Sequence, residues 1–477
     1  MASARLQPWR RFAPGAALLS ALALTLAAVL LPLRSLVLAL AVVAIIATLI
    51  ASFVEPGIGL ALALVAGPLQ PLERIVLQLP IDSGQILIGI ALLSYALRGL
   101  AQRRTLSVRG NSIAAALIVF LLIGIFSVVA ARDLTEWAFE CIKWLQMLLV
   151  ALIVANERDR RVRALIIGAV LATAFGEAVF GIIQHQVRGF GPKEFLVLGS
   201  TDRYRAYGTF EQPNPFGGYM GLTWPLAAGL ALEFISRLRH APHIRPAAAM
   251  AAALLIGCAG TVLYALNASG SRGALIGAAA AIAAMALTRI RHPLRWLGVA
   301  ALAALIAFES GLLNPPAALE SQLAEYGDID VRDAYLTPIS FSTIERLAHW
   351  QAAVRMIEAH PLIGIGFGNY GAAYEDFRLI NWPNALGHAH NYYLNIFAET
   401  GLLGLCAYLA LWGIVIANAM RMARSGQPRA WLALGMLGAC AHLSAHHLFD
   451  KLYVANMHVL IGVYLGLLAP AIPDSTS

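Results

Sequence analysis

The chain has 477 residues, of which 59% are hydrophobic and only 13% charged, and its mean hydropathy is +0.72. Apolar runs of 16 to 25 residues recur along it, each long enough to cross a hydrocarbon core of roughly 30 Å at about 1.5 Å per residue. A soluble enzyme is excluded by this pattern, and the formal net charge of +8 has to be judged by where the arginines lie.

In chain order the runs read as spans at 14–31, 36–53, 57–70, 84–97, 111–131, 137–155, 164–184, 216–235, 246–266, 273–288, 295–310, 401–420, 430–447 and 453–470. The 57–70 and 84–97 runs are short enough to be half-spans or tilted helices. The expected fold is an all-α polytopic membrane protein with 12 to 14 transmembrane helices, in a single integral membrane domain over residues 1–477. Arg5, Arg10 and Arg11 precede the first run as in a signal peptide. That run is too long for one, however, and another follows at once, so it reads as an uncleaved span.

Arginines gather in every second short loop: Arg98, Arg103, Arg104 and Arg109; Arg158, Arg160, Arg161 and Arg163; Arg237, Arg239 and Arg245; Arg289, Arg291 and Arg295; Arg421, Arg424 and Arg429. The positive-inside rule assigns these loops and both termini to the cytoplasm. The surplus charge is therefore topology, and no nucleic-acid partner is expected. Two long hydrophilic loops, at about 186–215 and 311–390, fall on the other face. In a bacterium that face is the periplasm, and the larger loop precedes the last three spans. Neither ATP, NAD nor a nucleotide sugar is available there. Cys141, Cys258, Cys406 and Cys440 lie inside predicted spans, as buried small hydrophobes with no disulfide framework or CxxC site.

Polar groups concentrate at the outward ends. Glu140 and Lys143, inside a span at i, i+3, predict an ion pair or a cavity lining, since an unpaired charge in the bilayer is costly. The segment DRYRAYGTFEQPNPFGGYM carries Arg203, Arg205, Glu211, Gln212 and Asn214. NASGSRGALIG sets Asn267, Ser269, Ser271 and Arg272 in a very short turn that holds the guanidinium near headgroup depth. Arginine suits phosphate because its planar fork makes two parallel hydrogen bonds and stays charged; the alternative is snorkelling to lipid headgroups.

Within the large loop, SFSTIERLAHWQAAVRMIEAHP places Ser342 and Glu345 at capping-box spacing. Leu347, Trp350, Val354 and Ile357 recur at helical period, which predicts an amphipathic helix near 342–360 packed on the spans or on membrane lipids and stopped by Pro361. Gly366, Gly368 and Gly371 satisfy GxGxxG, but a helix precedes them instead of a strand, so a tight turn is expected and not a nucleotide site. Then come His388, His390, Asn391, Tyr392 and Tyr393. A neutral imidazole at the mouth of a span is suited to take a proton from a hydroxyl nucleophile. Metal binding competes, through His388 and His390 or through His442, His446, His447 and Asp450. An acidic third ligand and second shell are not evident, and no metal or other cofactor is assigned.

These clusters in this order resemble the O-antigen ligase and polymerase superfamily of bacterial inner-membrane proteins. The ligase-type signature is a histidine, then Asn, Ser or Gln, then nine residues, Gly, two residues, and Gly, Thr or Tyr; His390, Asn391, Gly401 and Gly404 fit it, and the two glycines are expected on one helical face, where small residues permit close helix packing. RAYGTFEQPNPFG, GSRGA and HPLIGIGFGNY are similar to further family segments. The resemblance implies about 12 membrane helices, a large periplasmic loop, and metal-independent glycosyl transfer from an undecaprenyl-diphosphate-linked glycan, with a periplasmic active site. It makes His390 the general base and gives the diphosphate to Arg205 and Arg272. Asn214, Asn391 and His388 are assigned to substrate binding with them. Displacement from the back of the anomeric carbon would invert it. The acceptor expected of a ligase is lipid A core. Protein-glycosylating relatives usually carry a further C-terminal domain, for which AIPDSTS leaves no room, and polymerases usually lack the full histidine signature. A transporter of lipid-linked glycans is the reading of another class, and it would scatter polar residues along the spans. Arg203, Arg332, Arg346 and Arg378 are left without a role.

Overall fold

Five helices of this protein start where a short polar side chain satisfies the first free amides. Asn111, Asp133, Asp159, Ser271 and Asn391 each accept a backbone N–H of the helix that follows, a cap that stabilises by about 1 kcal/mol. The computed structural model describes residues 46–78, 82–101, 111–187, 191–197, 200–239, 246–290, 341–426 and 429–469. From Pro56 onward its helices are α1 (Pro56–Ala66), α2 (Gln70–Leu77), α3 (Ser83–Ala101), α4 (Ser112–Phe126), α5 (Leu134–Asn156), α6 (Arg160–Gln186) and α7 (Pro213–Arg239). There follow α8 (Pro246–Ala268), α9 (Arg272–Arg289), α10 (Phe341–Ala359), α11 (Tyr370–Phe377), α12 (Tyr392–Arg424), α13 (Ala430–His446) and α14 (Met457–Leu467). Among the described residues the nearest approach to a strand is an isolated bridge between Leu196 and Tyr204.

The protein is all-α and multi-pass. Seven helical segments among the described residues are long and apolar enough to cross a membrane. The predicted runs at 14–31 and 295–310, most of 36–53, and Arg332 lie outside the described residues. Inside the bundle α7 packs on α8 and α13, α9 on α13, α5 on α14, α12 on α4 and α13, and α1 on α3 and α6. Every residue of α14 is buried. A Cβ at Gly462 or Gly466 would stand 2.8 and 2.6 Å from the carbonyl oxygens of Met147 and Ala151, so paired small residues let α14 lie directly on the α5 backbone.

Alternate helix ends carry different chemistry. α7, α9 and α12 finish at Arg239, Arg289 and Arg424, whereas they begin at Pro213, Arg272 and Tyr392, beside the polar clusters. α9 alone, 18 residues long, separates the two ends by about 27 Å.

Two expectations need correction. On α10 the buried stripe is Ile344, Ala348, Ala352, Ala353 and Met356, whereas Val354 is 42% exposed. The alanines admit Tyr370 and Tyr374 of α11 to close contact in a small core with Ile365, Ala389 and Ala398, the last from α12, on which α10 also packs. Gly401, expected with Gly404 on one face of a regular helix, is instead a kink: α12 starts earlier, at Tyr392, and Gly401 has φ +66°. A Cβ there would lie 2.2 Å from the carbonyl carbon and oxygen of Leu362. The broken turn lets Leu402 N–H reach the Pro361 carbonyl at 2.8 Å. Gly404 faces its own Thr400 side chain. The Gly364–Gly371 segment is a tight turn, with Gly364, Gly366 and Gly368 all at positive φ.

Replacing Gly401 by alanine therefore combines a left-handed backbone with a clash, and should destabilise by about 2 kcal/mol or more. Gly413→Ala, in the same helix with nothing near its Cβ position, should be neutral or slightly stabilising. Thermal melts of the two purified variants check the contrast.

Candidate active site

Arg205 sits in an extended segment fixed at both sides. Ala206 N–H donates to the Ala268 carbonyl at 2.9 Å, and Thr209 donates through N–H and Oγ1 to the Glu177 carboxylate at 3.1 and 2.8 Å. The guanidinium donates from Nε to the Ser269 carbonyl at 2.7 Å and from Nη2 to Asn214 Oδ1 at 3.0 Å. Arg272 is the first residue of α9, exposed, with Ser271 capping the helix through the Ala274 N–H at 3.3 Å. Burial lowers the Arg205 pKa, and the charges of Arg346 and Arg272 lower it further. Three guanidiniums gathered this way repel each other, and what they favour is an anion. The N-termini of α7, α9 and α12 open onto the same region, adding positive dipole ends.

The histidines lie at the exit of the small outer core. His390 has φ +51°, a left-handed backbone that costs an L-residue roughly 1 kcal/mol. Its neighbours hold it there: Ala389 N–H donates to Asn395 Oδ1 at 3.1 Å, and Tyr392 N–H donates to the His447 carbonyl at 2.7 Å. His390 N–H donates to His388 Nδ1 at 3.0 Å. Asn391 Oδ1 accepts from Tyr393 and Leu394 N–H at 3.0 and 3.1 Å, so its oxygen is occupied as a helix cap. Both His390 ring nitrogens are buried and without a hydrogen-bond partner. Burial, followed by the charge of His388, pushes the His390 imidazole down to about 3. Burial likewise pushes His388 to about 3 and His349 to about 4. All three rings are neutral at neutral pH and able to accept a proton.

One carboxylate joins the two groups. Asp450 Oδ1 is 3.5 Å from His388 Nε2 and 3.9 Å from His390 Nδ1, and accepts the Lys451 N–H at 2.9 Å. Asn214, already bonded to Arg205, also faces Asp450. Burial raises the Asp450 pKa, while His390, the Lys451 amide, Arg346 and Asn214 act against the rise. Arg205, Asn214, His388 and His390 are thus brought into one site, with Arg272 at its edge. Sequence reasoning missed this use of Asp450, which it grouped with His442, His446 and His447. Those three turn inward: His446 Nδ1 meets His442 Nε2 at 3.4 Å, and His447 Nδ1 meets the Tyr408 hydroxyl at 3.0 Å.

Other residues take structural parts. His349 stacks on Tyr374 with centroids 4.8 Å apart and meets His390 edge-on at 5.5 Å. Glu140 pairs with Lys143 at 2.5 Å, as expected, and also with Lys451 at 3.3 Å. Removing that carboxylate would leave two buried ammoniums facing each other. Arg378 pairs with Glu375 at 2.7 Å, and Arg203 and Gln212 are exposed. Ligand atoms of His388, His390 and Asp450 lie within 4.8 Å of one another, among the described residues the one grouping with the spacing of a cation site.

Residues 257–409 match the family model described as O-antigen ligase. The match includes Arg272, Arg346, His388 and His390. No curated protein matches the chain.

Proposed function

We propose that this chain, whose residues 257–409 match the O-antigen ligase family model, is an O-antigen ligase that moves a glycan from undecaprenyl diphosphate to a sugar hydroxyl of lipid A core. The observation that carries this reading is that Arg205, bonded to Asn214 at 3.0 Å, shares its surroundings with Asp450, which Asn214 faces and whose Oδ1 lies 3.9 Å from His390 Nδ1. An anion site and a proton acceptor thereby share one pocket, as transfer from a lipid diphosphate requires.

The acceptor hydroxyl oxygen attacks the anomeric carbon, forming the new glycosidic bond as the bond to the diphosphate oxygen breaks. The hydroxyl proton passes to His390, whose ring is neutral because burial holds its pKa low. Arg205 and Arg272 neutralise the charge that grows on the departing diphosphate. The positive charge of Arg346 adds to burial and His388 in opposing protonation of His390 in the free protein, and a bound diphosphate would offset that charge, so the base strengthens when the donor arrives. The donor's own leaving group drives the reaction, so neither ATP nor a nucleotide is required.

The arginine-bearing ends of α7, α9 and α12 mark the cytoplasmic side under the positive-inside rule. The site then opens to the periplasm of a bacterial inner membrane, at the height of lipid headgroups, where both the donor and lipid A core reside. The full His390, Asn391, Gly401, Gly404 signature favours a ligase over a polymerase of the same superfamily. A protein-glycosylating relative would use the same donor with a different acceptor.

Gels of lipopolysaccharide and of glycoproteins from a deletion strain separate these. Loss of a ligase leaves bare core and accumulated lipid-linked polymer. Loss of a polymerase leaves core with a single repeat, and loss of a protein transferase leaves lipopolysaccharide unchanged. Complementation with His390→Ala should restore less than about 1% of capped lipopolysaccharide; full restoration would remove His390 as the base. The single displacement should also invert the anomeric carbon, and NMR of the linkage showing retention would exclude it.

A further inference from the structure

We propose that His388 is a positioning residue that acts through Asp450 to set the tautomer of His390, and that it binds neither substrate nor metal. The inference rests on the reading of His390 as the base, and it begins with one hydrogen bond. His390 N–H donates to His388 Nδ1 at 3.0 Å, so that nitrogen carries a lone pair and the neutral ring holds its proton on Nε2. The Nε2–H points toward Asp450 Oδ1, 3.5 Å away.

Asp450 in turn accepts the Lys451 N–H at 2.9 Å and faces the His388 Nε2–H and Asn214 on its other sides. Its Oδ1 faces His390 Nδ1 at 3.9 Å. A carboxylate there favours a proton on His390 Nδ1, which leaves Nε2 as the lone pair for the acceptor hydroxyl. The 3.5 and 3.9 Å separations exceed those of formed hydrogen bonds, and contacts of this kind tighten when substrates assemble. Ring centroids of His388 and His390 are 4.4 Å apart, nearly perpendicular at 71°, so both edges reach the same carboxylate oxygen. The left-handed His390 backbone has a purpose in this arrangement, because it belongs to the tight His388–His390 turn that returns the His390 amide to the His388 ring.

The same three residues have the spacing of a two-histidine, one-carboxylate metal site. A metal there would take the lone pair of His388 Nε2, which the hydrogen bond to Nδ1 has replaced with a proton. To bind a metal, the ring would have to give up its bond to the His390 amide and move its proton to Nδ1. A donor-sugar contact fares no better, since both ring nitrogens are already committed within the turn and to Asp450.

Histidine-selective 15N solid-state NMR of the full-length protein in lipid bilayers tests this without reliance on turnover, with the two resonances assigned from the His388→Gln and His390→Gln variants. The expected wild-type spectrum has His388 protonated on Nε2 and His390 on Nδ1. In His388→Ala, His390 should shift to a mixture of tautomers, and in His388→Gln, whose side-chain amide can donate to Asp450, it should stay on Nδ1. An unchanged His390 tautomer in His388→Ala would overturn the proposal. So would a tetrahedral absorption band on adding Co2+ to the wild-type protein that is absent from His388→Ala. Transfer kinetics give the second readout: a kcat about 10 to 100 times lower in His388→Ala with the donor KM within about threefold of wild type, and recovery in His388→Gln. A raised donor KM with unchanged kcat would make His388 a binding residue instead. If the protein proves not to be a ligase, transfer to lipid A core is absent from wild type and variants alike, while the spectra still decide the tautomer.

Discussion

The buried carboxylate of Asp450 is what the site depends on, because it faces the histidines on one side and, through Asn214, the arginine on the other. A carboxylate taken from water costs several kcal/mol unless it is surrounded by donors. Lys451 N–H donates to it, Asn214 and His388 face it as further donors, and each comes from a different part of the chain. The loop between α13 and α14, the entry to α7 and the turn before α12 are consequently held together by one group. Removing it would leave donors from three elements facing one another with nothing to accept from them.

Around that carboxylate the backbone is forced into uncommon shapes, and the forcing comes from packing outside the bundle. The small core of α10 and α11 buries Ala389 fully, which fixes the chain just before His390. Behind it, the Gly401 kink brings the Pro361–Leu362 turn onto α12, and Ile365 and Gly366 N–H bond to the Ala398 and Glu399 carbonyls at 2.9 and 3.0 Å. His390, the proposed base, is therefore carried on a segment clamped at both ends, even though it lies outside regular helix. Precise placement of a base on a loop requires such clamping.

Much of this was readable from the chain, and the limits have physical causes. Span positions follow from apolar runs alone, since in a bilayer the backbone has to bond within its own helix; α5, α8, α9 and α13 fall within a few residues of expectation. Arg272 stood out because a charge in a short turn between apolar helices has few structural excuses, and Arg205 and His390 because they lie near where the long loops enter a span. Asp450 was visible too, but its sequence neighbours His442, His446 and His447 suggested a local group, and only the tertiary fold turns it the other way. Lys451 as a second partner for Glu140 is equally a long-range fact. The stripe of α10 was misjudged because large apolar residues draw attention, whereas alanines do the close packing there. Gly401 read as a small helical residue because a spacing motif carries no information on φ.

The central claim is that the arginines bind the donor and His390 handles the proton, as separate tasks within one pocket. Equilibrium binding of an undecaprenyl-diphosphate-linked glycan to purified wild-type, Arg205→Ala and His390→Ala protein, with transfer measured on the same samples, tests it most directly. The account predicts that Arg205→Ala weakens binding at least about tenfold, the loss of about 1.4 kcal/mol or more expected for a charge-assisted contact to phosphate, while His390→Ala binds as wild type does and transfers nothing. A His390→Ala protein that loses donor binding, or an Arg205→Ala protein that keeps it, would contradict the account.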